Sequence, residues 1–178
     1  APLPLAGVEA TGRWYPGRET VEVGRLVADI GGSHLDARAR VVLAAPPVVG
    51  LHGTVDALPL ARLARLWPTD LASAARSWVA ASLREGELRR CRVRLGPPAP
   101  ADETGPPPAY AAAAPPEPQA VDVACDFRGV AADYLPPLDP IRNAIGSARL
   151  TADRLSVEVE SGSVGACRVD GGTFVLAF

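Results

Sequence analysis

"LDARARVVL", Leu35 to Leu43, is the stretch from which the fold is read. Leu35, Ala37, Ala39, Val41 and Leu43 recur at every second position, with Asp36, Arg38 and Arg40 between them. Successive side chains of a β-strand point to opposite faces, so this spacing predicts a strand with one dry face and one wet face. The pattern extends outward in both directions. In "ETVEVGRLVADI", Val21 and Val23 flank Glu22, Gly24 breaks the run, and Leu26, Ala28 and Ile30 resume it. "GGSH" between the two runs is a turn. Pro46 and Pro47 end the second run. "VVGLHGTVDAL" offers a further strand, with Val49, Leu51, Gly53 and Val55 on one side.

The period then changes. Leu60, Leu63 and Leu66 recur every three residues, which suits a short amphipathic helix stopped by Pro68. In "TDLASAARSWVAASLREG", Leu71, Ala74, Ala75, Trp78, Val79, Ser82 and Leu83 follow helical spacing. Pro68, Thr69 and Asp70 are the expected start and Gly86 the expected stop, giving a capped helix of about four turns. Trp67, just ahead of the cap, is placed to fold back as a hydrophobic staple. Trp67, Leu71, Trp78 and Leu83 are therefore the expected anchors of a helical insertion over residues 60–85.

Alternation returns in "ELRRCRVRL": Cys91, Val93 and Leu95 share one face, and Arg90, Arg92 and Arg94 the other. Residues 96–120 are rich in proline and alanine without periodicity and read as a loop or linker. In "AVDVACDF", Val121, Val123, Cys125 and Phe127 lie opposite Asp122 and Asp126. The remainder reads as four short strands with turns near Asp153, Gly162 and Gly171–Gly172. Leu155, Val157 and Val159 are expected dry, and Ser156, Glu158 and Glu160 wet. The predicted fold is mainly β: repeated antiparallel strands in a curved, groove-like sheet. Residues 1–95 form the first part, with the helical insertion, and residues 121–178 a β-hairpin repeat.

Composition bounds the function. The 178 residues hold 18 basic and 20 acidic side chains, for a net charge of -2. A phosphate-binding surface would need a basic excess, so nucleic acid is not an expected partner. No run reaches the ~20 apolar residues of a membrane-spanning helix. The opening "APLPLAGVEA" lacks the charged start and apolar core of a signal peptide. With no methionine in the chain, it is read as one segment of a longer protein.

The two histidines, His34 and His52, have no second ligand at metal spacing. "GSVG" at residues 162–165 falls one residue short of a serine-nucleophile motif. Acidic residues alternate with apolar ones and read as wet strand faces rather than as a paired acid and base. The expectation is a protein that is not an enzyme, with no metal and no cofactor. Cys91, Cys125 and Cys167 lack CxxC spacing, and each is read first as a small apolar strand residue. A bridge between neighbouring strands in an oxidising compartment is the alternative.

Two segments carry a family resemblance. "GTVDALPLARLARLWPTDLASAARSWVAASLREGELRRCRVRL" holds Leu58-Pro59, Leu66-Trp67-Pro68, Ala75-Arg76-Ser77-Trp78 and Gly86. The segment from Phe127 onward holds Gly129, Tyr134 to Pro137, Gly146 and Gly171-Gly172. Together they resemble the AsmA-like proteins of the YhdP type, with the insertion at about residues 96–120 as a departure. The resemblance implies a periplasmic segment of a protein held in the inner membrane by an anchor outside this chain. It implies a β-groove carrying phospholipid acyl chains between inner and outer membranes, with envelope proteins as further partners. The expected lipid-facing residues are Val21, Val23, Leu35, Ala37, Ala39, Val41 and Leu43 in the first part. In the second they are Val93, Leu95, Val121, Val123, Phe127, Leu155, Val157 and Val159. The competing expectation is a structural or adaptor module whose apolar face is fully packed.

Overall fold

The computed structural model describes residues 5–44, 47–67, 71–96, 121–134 and 137–178. All but the first residue of the expected loop or linker over 96–120, and the expected helix start at residues 68–70, lie outside them. Four strands open the chain as an antiparallel meander: β1 (Leu5–Tyr15), β2 (Thr20–Ile30), β3 (Ser33–Val42) and β4 (Val48–Val55). A short strand β5 (Leu58–Pro59) leads into helices α1 (Leu60–Leu66) and α2 (Ser73–Ser82). The chain returns as β6 (Leu83–Leu95), which lies beside β4. Then follow β7 (Val121–Ala132), β8 (Ile141–Thr151), β9 (Arg154–Val164), β10 (Cys167–Val169) and β11 (Gly172–Ala177). All eleven strands belong to one sheet that does not close on itself, with β10 and β11 both pairing with β9.

Local chemistry accounts for most of this order. Gly31 and Gly32 both take positive φ, 60° and 87°, as a two-residue hairpin turn between right-twisted strands demands. The Gly24 break is a β-bulge rather than an interruption. Val23 faces Ala39 and Leu26 faces Ala37, so β2 gains one residue and keeps its dry face. β6 repeats the device at Arg90, which takes φ 48°. The extra residue leaves both Arg89 and Arg92 opposite wet positions of β7 and turns Cys91 inward.

Four sequence expectations are corrected. α2 stops at Ser82, and Leu83 to Gly86 already belong to β6, so Leu83 anchors the strand and Gly86 is no helix stop. Pairing with β7 begins at Leu83 opposite Ala132 and overrides a helical period that ran on. The N-cap position is Ala72, in the left-handed region, with no side-chain cap. Gly162 lies inside β9, and the turn falls at Gly165–Ala166. Finally, Cys91 and Cys125 form a disulfide between β6 and β7, while Cys167 is free and exposed.

Candidate functional site

Directly opposed residues of antiparallel neighbours share a face. The dry face can therefore be traced across the sheet in rows. One row runs Trp14, Val21, Val41, Val49. The next runs Val23, Ala39, Leu51, Leu95, Val121. A third runs Leu26, Ala37, Gly53, Val93, Val123, Leu150, Leu155, Leu176. A fourth takes in Ala28, Leu35, Val55 and Cys91, and the disulfide carries it to Cys125, Ala148, Val157 and Phe174.

Over β6 to β9 this face is covered. Leu60 of α1 is buried with Phe127, Val130, Ala132 and Ala144, and Leu63, Leu83, Leu88 and Val159 pack around them. Ala75 of α2, 1% exposed, is buried with Val121, Leu150 and Leu155. Trp67, Leu71, Trp78, Leu95, Val123, Val157 and Leu176 close that second cluster. Trp78 stacks on Phe174 with ring centroids 6.2 Å apart, and Tyr134 meets the same ring edge-on at 6.3 Å. The Trp67 indole N–H donates to the Leu71 carbonyl at 2.8 Å, which fixes the expected staple. Phe127 lies over Gly146, where a Cβ would stand 2.9 Å from the ring and collide with the Glu158 carbonyl. Burying each such aliphatic or aromatic side chain contributes about 1.5–3 kcal/mol.

Over β1 to β4 the face is different. Val21, Val23, Ala39, Val41 and Leu51 are half-buried and belong to neither cluster. Trp14, Leu43 and Val49 are 49%, 48% and 37% exposed. Trp14 was not singled out by sequence, because β1 alternates through Ala10 and Gly12 and carries little apolar signal. At the end of this region near the β2–β3 turn, Arg62 of α1 comes beside Gly31.

The expected lipid-facing residues thus fall into two groups. Val21, Val23, Ala39, Val41 and Leu43 lie on the uncovered region, with Leu35 half-buried toward its closed end. Ala37, Val121, Phe127 and Leu155 are buried and present no surface to a guest. Leu95, Val123, Val157 and Val159 pack against the helix-covered clusters, and Val93 lies half-buried between the two regions.

The wet face carries charge in opposed pairs. Glu22 meets Arg40, Arg90 meets Asp126 at 2.5 Å, and Arg149 donates to both oxygens of Asp122 at 2.9 and 3.0 Å. The Arg149 hydrogen bond, aided by Arg94 and Arg92 and opposed by partial burial, holds the Asp122 carboxyl below its ordinary value. The same bond raises the Arg149 guanidinium. A shallow hollow of about 800 Å³ lies here, lined by residues including Arg90, Arg92, Asp126, Arg149 and Glu158. A carboxylate held ionised is a poor general acid near neutral pH. Among the described residues, no three His, Cys, Asp or Glu side chains are placed to hold a metal.

Fold and site together define a class: an open, single-sheet antiparallel β protein with a helical cover over part of its apolar face. Comparison with protein-family models, with curated proteins and with solved structures finds no match.

Proposed function

We propose that this chain is a segment of an AsmA-like envelope protein of the YhdP type that holds or conducts phospholipid acyl chains along its apolar β-face. The observation that carries the reading is the region of β1 to β4 outside both buried clusters among the described residues, where Trp14, Val21, Val41 and Val49 form an exposed-to-half-buried apolar row. A row of this kind, flanked by a charged opposite face, marks a surface that meets something apolar. The Cys91–Cys125 disulfide supports a periplasmic location, because such bridges persist in oxidising compartments. Anchoring in the inner membrane is assigned to a part of the protein outside this chain.

A second reading is favoured by the covered half. There the helices pack the sheet as they would in a structural or adaptor module with a dry core. Site-specific photo-crosslinking in cells separates the two. A crosslinker at Val21 or Val41 is expected to capture phospholipid, and one at Arg38 on the wet face is not. Capture at neither valine, with the chain well expressed, leaves the packed module as the better account.

A further inference from the structure

We propose that Trp67, Leu71 and Trp78 form a fixed stop that ends the apolar track at β6 and so sets how much of an acyl chain the sheet holds. This rests on the lipid-holding reading above. The second row of the dry face passes from Val23 through Ala39 and Leu51 to Leu95, and its next member is Val121. Val121 is buried in the cluster that these three side chains and Ala75 close. Leu95 packs against the same cluster, so a guest lying along the row meets it after crossing β1 to β4. Three steps between neighbouring strands make that track about 14 Å long.

The stop is fixed rather than swinging because both sides of α2 are tied. Its last residue, Ser82, accepts the Asp133 backbone N–H at 2.8 Å, and the chain passes without a loop into β6. Arg84 binds Asp133 at 3.0 Å beside this junction. On the other side, Trp78 is held by its stack on Phe174 and Trp67 by its bond to the Leu71 carbonyl. A rigid obstruction at a set distance from the open edge limits guest length as the floor of a pocket does.

The three tryptophans report on the two ends of the track: Trp14 at the open end, Trp67 and Trp78 at the stop. The test uses two chains, one keeping only Trp14 (W67F/W78F) and one keeping only Trp78 (W14F/W67F). Each is mixed with phosphatidylcholine vesicles whose acyl chains are brominated. Trp14 is expected to lose most of its emission, and Trp78 to keep its own. Quenching of both, or of Trp78 alone, overturns the stop and leaves the lipid-holding reading standing. Quenching of neither overturns that reading, and the stop with it. A crosslinker placed singly at Leu51 and at Val123 in the otherwise unaltered chain gives the same answer without touching a tryptophan. Lipid adducts are expected at Leu51 only, and adducts at Val123 overturn the stop.

Discussion

Strands β3 and β9 use the same alternation, yet their dry faces meet different surroundings. Val41 follows Arg40 and Val157 lies between Ser156 and Glu158, each on a strand with partners on both sides. Val157 packs into the clusters under α1 and α2, whereas Val41 lies on the region that belongs to neither cluster. What separates them is the placement of one helical excursion between β4 and β6. The chain leaves the sheet at β5, crosses the dry face, and comes back to pair with β4. Most of the dry face C-terminal to the return is roofed, and most of what precedes it is not.

That contrast can be tested by substitution. Phe127→Ala, in the roofed half, removes the ring packed over Gly146 and should cost about 3–5 kcal/mol in urea unfolding. Val41→Ala, in the open half, should cost less, about 1 kcal/mol, because its side chain stays partly exposed and joins neither cluster. Equal costs would mean that the open region is packed in solution. Removing the disulfide (C91A/C125A) should cost about 2–4 kcal/mol, read as a lower midpoint under oxidising conditions and no difference after reduction. A smaller loss would place the rigidity of the β6–β7 seam in the roof rather than in the bridge.

The smallest effect concerns the wet face. Because the Asp122 carboxyl is depressed in the folded state, its contribution is present above the ordinary value of 3.8 and is lost as pH falls through the lower folded value. Asp122→Asn should therefore lower neutral stability slightly and flatten the acid limb below about pH 4 by the same amount. An unchanged acid limb would show that the Arg149 pair contributes nothing measurable.

Much of the strand pattern was legible. The faces of β2, β3 and β9 follow from alternation, and α1 from the three-residue spacing of Leu60, Leu63 and Leu66. β1 was not, because glycines at positions 7 and 12 and the small Ala10 leave too little apolar contrast to show a face. The end of α2 was misread because Leu83 continues a helical period, and only strand pairing with Ala132 decides against it. The Cys91–Cys125 bridge depends on β6 lying next to β7, which a separation of 34 residues hides. Least legible was the division of the dry face. A valine that packs and a valine that waits lie on strands of the same alternation, and the path of the helices distinguishes them.

Leu95 and Val121 stand directly opposite each other, so the segment joining them begins and ends at one rung of the ladder. Its two ends stay together whatever its length, held by the strands and by the bridge between Cys91 and Cys125. For a tether closed in this way, each doubling of length costs only about 0.6 kcal/mol in chain entropy. The rung thus marks a splice point for the protein engineer, where added length by itself costs the sheet little chain entropy.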